Sequence, residues 1–153
     1  MIGSDQLREV LSAVGQLLEA EGKTVRIVIV GGASLNLAGL VDRATDDVDV
    51  IARAEEDEGG PILIPPDPMP DALMAAVQRV ARDFGLPSGW LNTAVANQWE
   101  TSLPPSLKEN LTWHRFGGLR VGVAGRWPLI ALKLLAAVDQ GAPRASTTRI
   151  WSD

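Results

Sequence analysis

Apolar residues recur at helical spacing near the start of the chain, beginning at Leu7. Spacings of three and four residues place such positions on one face of a helix, so the pattern predicts a first amphipathic helix. Ser4 and Asp5 precede it and are residue types that cap a first helical turn. The apolar positions are Leu7, Val10, Leu11, Val14, Leu17 and Leu18.

The next apolar run, VRIVIV at 25–30, is β-branched, short and bounded by glycines. It predicts a central strand, and a short helix is expected over 33–38. From Asp47 to Ile51, acidic and apolar residues alternate with a period of two. This alternation predicts a second strand that carries its carboxylates on one face.

Acidic residues and prolines dominate the following segment. Four consecutive acids stand at 55–58, and prolines stand at 61, 65, 66, 68 and 70. Because proline disrupts regular elements, we predict an acidic, proline-rich loop at 54–70. A flexible lid over the neighbouring acidic pair is the alternative hypothesis for this segment.

Five further elements are predicted downstream. A helix capped by Asp71 ends near Gly85, and a short helix covers 90–99. Strands at 111–116 and 119–123 flank a glycine pair typical of a hairpin, and a last helix starts at Pro128. The predicted order is α-β-α-β-α-α-β-β-α, an α/β (α+β) fold with a small mixed sheet flanked by helices.

Composition narrows the classes of protein that fit this pattern. The chain has 153 residues, 46% of them hydrophobic, which suits one domain over 1–153. The net charge of −5 disfavours an extended nucleic-acid surface. No uncharged apolar run is long enough for a signal peptide or membrane span, so we expect a cytoplasmic protein.

Residue types that are scarce exclude several chemistries. With no cysteine and a single histidine, His114, the chain has no Cys/His zinc site and no thiol nucleophile. We interpret His114 as a structural strand residue. The five tryptophans are scattered along the chain, which favours packing over a platform for stacking bases.

Candidate phosphate-binding residues lie where the first strand meets the short helix. Gly31 and Gly32 let the backbone approach a ligand closely and offer N–H groups at a positive helix end. Ser34, Arg43 and Thr45 are candidate donors to phosphate oxygens. A tight turn at the glycine pair and ordinary surface hydrogen bonds of Arg43 and Thr45 are the structural alternatives.

Asp47 and Asp49 are the candidate metal ligands. Two residues apart on a strand, their side chains project to the same side and can share Mg²⁺. With a phosphate-binding turn, such a pair is typical of metal-assisted phosphoryl transfer. A dinucleotide-binding unit is disfavoured, because the G-x-G-x-x-G spacing is absent and the acids begin their strand rather than end it.

The glycine pair followed by RATDDVDV at 43–50 resembles the signature of the polymerase-beta-type nucleotidyltransferase superfamily. The chain is most similar to small bacterial nucleotidyltransferase-like proteins akin to the toxins of type IV abortive-infection systems. Segments 85–92 and 129–137 are similar to later stretches of such proteins.

This resemblance implies a minimal nucleotidyltransferase fold and assigns roles to individual residues. Asp47 and Asp49 would hold Mg²⁺ or Mn²⁺, Gly31 and Gly32 would form the phosphate turn, and Lys133 would be a catalytic cation near the triphosphate. A nucleoside triphosphate would be the co-substrate, and NMP would pass to a protein, an RNA end or a small molecule. An antitoxin-like protein partner is also implied.

The sequence departs from the superfamily pattern in two ways. Gly32 stands where many relatives have serine, which makes Ser34 the substitute donor. The predicted strands at 111–116 and 119–123 lack the usual third carboxylate, for which Asp139 or Asp153 are the candidates. The sequence therefore leaves open a second function, that of a catalytically degenerate relative serving as a nucleotide-binding or interaction module.

Overall fold

The computed structural model describes residues 2–58, 60–95 and 111–124. Helix α1, Ser4–Ala20, confirms the first predicted helix and buries the expected apolar face. The capping prediction was wrong: the residue before the helix is Gly3, no side chain caps the first turn, and Ser4 and Asp5 are themselves helical. The Ser4 hydroxyl instead donates to Asp42 Oδ1 at 2.6 Å.

Strand β1, Val25–Val30, matches its prediction. Helix α2 spans Gly31–Leu37 and so begins before the predicted Ala33. The difference arises at Gly31, whose φ of 78° turns the chain from strand into helix within one residue. Only glycine adopts this conformation without steric cost.

The predicted loop at 54–70 is largely sheet, which corrects that prediction. Strand β2, Val48–Asp57, extends through most of the acidic run, and strand β3, Gly60–Ile64, pairs with it in antiparallel fashion. Strand β3 lies at one end of the sheet order, where a proline such as Pro61 is tolerated. Residues 60–64 are therefore a sheet strand and not a lid.

Helix α3, Asp71–Phe84, is confirmed, as is the left-handed Gly85 that follows it with φ 68°. Asp71 is the first helical residue and makes no side-chain cap, so its predicted capping role was wrong. The helix predicted at 90–99 is not formed in its described part. Leu91–Asn92 instead make the short strand β4, because they pair in parallel with β2.

The C-terminal hairpin is confirmed by β5, Leu111–Phe116, and β6, Leu119–Ala124. The helix predicted from Pro128, with Lys133, lies outside the described residues, as do Asp139 and Asp153. Along the described chain the order is α1-β1-α2-β2-β3-α3-β4-β5-β6.

The six strands form one mixed sheet in the order β3-β2-β1-β6-β5, with β4 also paired to β2. Strand β1 is antiparallel to β2 and parallel to β6. Helix α1 packs against α3 and against the β5–β6 hairpin, whereas α2 packs against β1 and β2. A mostly antiparallel sheet flanked by helices confirms the predicted α+β class.

Strand β1 lies in the middle of the sheet, between β2 and β6, and its side chains belong to the same hydrophobic cluster as those of α1 and α3. Its apolar side chains, from Ile27 to Val30, are all buried. In the part of the chain that the structure describes, no helix is both long and apolar enough to cross a membrane.

Candidate functional site

The turn from β1 into α2 brings a glycine backbone against a carboxylate. Val30 pairs with Asp49 across the β1–β2 ladder. A Cβ atom at Gly31 would lie 2.8 Å from Asp49 Oδ2, closer than real Cβ atoms approach other atoms. The Asp49 carboxylate therefore occupies the space that a side chain at residue 31 would take.

Thr45 supports the second glycine of the turn. A Cβ at Gly32 would lie 3.0 Å from Thr45 Oγ1, and Thr45 is itself buried. Its hydroxyl donates to the Asp47 carbonyl at 3.0 Å, and its backbone pairs in both directions with Ile2. Thr45, a predicted phosphate donor, thus lies beside the glycine turn, and its hydroxyl proton is donated to the Asp47 carbonyl.

Ser34 lies next to the glycine turn but inside the core. Its side chain is fully buried, and its hydroxyl donates to the Gly31 carbonyl at 2.7 Å. The role of Ser34 as a phosphate donor in place of the missing serine therefore stays a prediction, for a hydroxyl that the chain itself already engages. Ser34 stabilises the first turn of α2 from within the core.

The loop that carries Arg43 is tied to two helices by a buried amide. Asn36 Nδ2 donates to the Arg43 carbonyl at 2.9 Å and to Ser4 Oγ at 2.8 Å. Arg43 is exposed, close in sequence to the acidic pair. Sequence reasoning missed Asn36, although a polar residue inside the otherwise apolar, short α2 was the available signal.

The two predicted metal ligands lie close enough for the charge of Asp47 to act on Asp49. Both Asp47 and Asp49 are partly buried. Burial, and secondarily the negative charge of Asp47, raises the pKa of Asp49 from its usual 3.8 to about 6. The described residues contain no group of three or more acidic or histidine side chains suited to a metal ion.

Asn92 is a site neighbour that the sequence did not reveal as such, because a helix was expected there. Its Nδ2 donates to Asp47 Oδ2 at 3.2 Å and to the Gly89 carbonyl at 3.0 Å. Strand β4 places it opposite Asp49 on the β2 ladder. The signal available in the sequence was a polar residue directly after the apolar Trp90–Leu91 pair.

The donor set fits a hard divalent cation. Mg²⁺ prefers carboxylate oxygens together with substrate phosphates and water. Burial, and secondarily the charge of Asp47, raises the pKa of Asp49, and a bound cation would favour the ionised carboxylate again. Asp47 and Asp49 would hold it, beside the exposed Gly31 and Gly32 backbone.

His114 lies on strand β5, and Trp90 and Trp113 pack in or against the hydrophobic core. Burial and the nearby Arg8 charge lower the pKa of His114. Trp90 is buried and donates from Nε1 to the Val77 carbonyl at 3.0 Å. Trp113 packs over Gly122, where a Cβ would lie 2.9 Å from its ring.

A comparison with protein families matches residues 5–84, which is just over half of the chain, to the family described as "Nucleotidyltransferase of unknown function (DUF6036)". The matched region runs from α1 to α3 and includes the glycine turn and both aspartates. No curated protein and no solved structure matches the chain. The chain therefore belongs to this nucleotidyltransferase family, whose members' function is not known.

Proposed function

We propose that this protein is a Mg²⁺-dependent nucleotidyltransferase that moves NMP from a nucleoside triphosphate to an acceptor hydroxyl. The observation that carries the proposal is that the Asp49 carboxylate fills the space beside Gly31, with Asp47 near enough for its charge to act on Asp49. In this proposal the two carboxylates bind the metal ion, and the exposed glycine backbone beside them receives phosphate oxygens. Family membership supports the same class of reaction.

In the proposed reaction, the acceptor oxygen forms a bond to the α-phosphorus, the bond to the bridging oxygen breaks, and pyrophosphate leaves. The hydroxyl proton is released to solvent. Mg²⁺, or Mn²⁺ in its place, would supply charge neutralisation and orientation of the triphosphate. The glycine turn would fix the phosphates, and Arg43 and Lys133 would add positive charge to them.

The acceptor is proposed from the resemblance to abortive-infection toxins. A protein, an RNA end or a small molecule would carry the receiving hydroxyl, and an antitoxin-like protein would control the activity. Testing acceptors of all three classes in parallel with a labelled nucleotide distinguishes among them. Suppression of labelling by a co-purifying protein would support the toxin-like role.

The first test is self-labelling and pyrophosphate release with Mg²⁺ and each labelled nucleoside triphosphate in turn. We expect Asp47→Asn and Asp49→Asn to lower turnover by roughly 10²-fold or more, because each removes a metal ligand. Asp46→Asn is the matched control. It removes a carboxylate of the same size from the exposed neighbour of Asp47 and should leave turnover within about twofold.

Three results separate the alternatives. Turnover that depends on Asp47 and Asp49 but not on Asp46 supports transfer. Binding of nucleotide without turnover in the wild-type protein would support the degenerate binding module instead. Failure to bind either nucleotide or metal would contradict both.

A further inference from the structure

Asn92 holds one of the two proposed metal ligands through an amide whose orientation is fixed. Both N–H groups are used, one on Asp47 Oδ2 at 3.2 Å and one on the Gly89 carbonyl at 3.0 Å. Its Oδ1 accepts from the Ala94 N–H at 3.0 Å. A reversed amide would set its oxygen against a carboxylate and a carbonyl, so only this orientation satisfies all three partners.

The backbone that carries this amide is anchored in the core. Trp90 is buried, and its ring N–H donates to the carbonyl of Val77 in α3 at 3.0 Å. The backbone carbonyl of Trp90 accepts from the N–H of Val48 in β2 at 2.7 Å. Leu91 and Asn92 then pair with Val48 and Asp49. Asn92 is thus a donor on a strand that both α3 and β2 hold in place.

An aspartate carboxylate rotates easily about its terminal torsion, because the preference there is broad. Donation from Asn92 engages Oδ2 of Asp47 and restricts that rotation. The other oxygen, Oδ1, is left unengaged by Asn92. A ligand that is oriented before the cation arrives binds it more tightly than one that must be ordered on binding.

We infer that Asn92 is a positioning residue of the site, which orients the Asp47 carboxylate for a divalent cation and thereby couples α3 and β4 to the catalytic centre. This inference rests on the proposed function, because it concerns the same cation. Asn92 acts through Asp47 and has no part in the transfer itself.

The test is calorimetric titration of the ligand-free protein with Mn²⁺, which needs no turnover. We expect Asn92→Ala and Asn92→Ser to raise the Mn²⁺ dissociation constant by roughly 10-fold or more, as loss of a ligand's hydrogen-bond partner typically does. Asn92→Ser retains a hydroxyl that can replace the local contact to the Ala94 N–H. It therefore preserves the turn even if the alanine variant does not fold.

Thr93→Ala is the matched control on the neighbouring residue. The Thr93 hydroxyl donates to Asp67 at 2.8 Å, so its loss alters the same segment without touching Asp47. We expect this variant to bind Mn²⁺ as the wild type does. In turnover assays, the Asn92 variants should need about 10-fold more Mg²⁺, while the nucleotide KM at saturating Mg²⁺ stays within about twofold.

The inference is overturned if Asn92→Ser binds Mn²⁺ like the wild type, or if Thr93→Ala loses as much affinity as the Asn92 variants. Failure of the proposed function looks different. In that case, the wild-type protein itself binds no Mn²⁺ and releases no pyrophosphate, and both ideas fall together.

Discussion

Two structural features require glycine at position 31, and mutations can separate them. Its φ of 78° is costly for any other residue, and a Cβ would lie 2.8 Å from Asp49 Oδ2. Gly39 has nearly the same φ, 77°, but open space around it. Comparing substitutions at Gly31 and Gly39 therefore distinguishes backbone strain from displacement of the Asp49 carboxylate.

We predict that Gly31→Ala and Gly39→Ala each lower the free energy of unfolding by about 1 kcal/mol, the cost of a left-handed alanine. The carboxylate of Asp49 is the end of a flexible side chain and can swing away from the new methyl group. Only Gly31→Ala should then lose Mn²⁺ affinity. Denaturant unfolding and calorimetric titration of both variants check this, and equal affinity in the two variants would contradict it.

Asp49 makes stability depend on pH. Its pKa is raised from 3.8 to about 6 by burial and by Asp47, so the folded state holds this proton more tightly than the unfolded state does. The contribution of Asp49 to the free energy of unfolding is therefore greatest below pH 3.8 and is lost as the pH rises through about 6. A bound cation would counter the repulsion above that range.

We predict that Asp49→Asn is more stable than the wild type at pH 7 in the absence of metal, by about 1 to 2 kcal/mol after allowance for solvent screening. The difference should shrink towards zero well below pH 3.8, where Asp49 is protonated in both states. Urea unfolding of the two proteins from pH 3 to pH 7 measures this difference. A constant difference across this range would rule out titration of Asp49 as its cause.

At the scale of elements, the contact of α1 with the β5–β6 turn depends on the absence of a side chain at Gly15. A Cβ there would overlap the Phe116 carbonyl oxygen, which belongs to the backbone and cannot rotate away. The Gly15 carbonyl also accepts from the Gly118 N–H at 2.9 Å. The hairpin and the helix must therefore separate if residue 15 gains a methyl group.

We predict that Gly15→Ala lowers the free energy of unfolding by about 2 to 3 kcal/mol, although Gly to Ala within a helix normally stabilises by up to about 1 kcal/mol. Exposed Gln16→Ala is the control and should change stability by less than about 0.5 kcal/mol. Denaturant unfolding of both variants gives the answer. Stabilisation by Gly15→Ala would show that the helix and hairpin are not packed in this way.

Elements whose pattern is local were predictable, and elements whose existence depends on a distant partner were not. Helix α1 and strand β1 follow from their own apolar spacing, and α3 ends at Gly85 for a local conformational reason. Strand β4 has two residues and exists because β2 offers it a ladder. No propensity within so short a segment can specify a strand.

At the scale of the whole molecule, binding of a cation should stabilise the fold, because the proposed site exists only when β1, β2 and β4 are assembled. We predict that Mg²⁺ or Mn²⁺ at 100 times its dissociation constant raises the free energy of unfolding by about 2.7 kcal/mol at pH 7. At the same ion concentration, the gain in unfolding free energy should be smaller at pH 5. There Asp49, with its pKa of about 6, must first lose a proton before the ion binds.

Thermal unfolding with and without the ion at both pH values measures this effect. Asp47→Asn should abolish the gain, and Asp46→Asn should retain it. An equal gain at both pH values, or one that persists in Asp47→Asn, would place the ion elsewhere on the protein.

The sequence by itself determined the amphipathic helices, the central strand, the C-terminal hairpin and the neighbourhood of a glycine pair and an acidic pair. These features are fixed by spacing and by the conformational range of single residues, which act over a few positions. Only the tertiary structure decided that the acidic run continues β2 into a hairpin, that Ser34 faces the core, and that Asn92 bonds Asp47. Those outcomes depend on which distant segments satisfy each other's backbone and polar groups, and that information lies in the packed chain rather than in any one stretch of it.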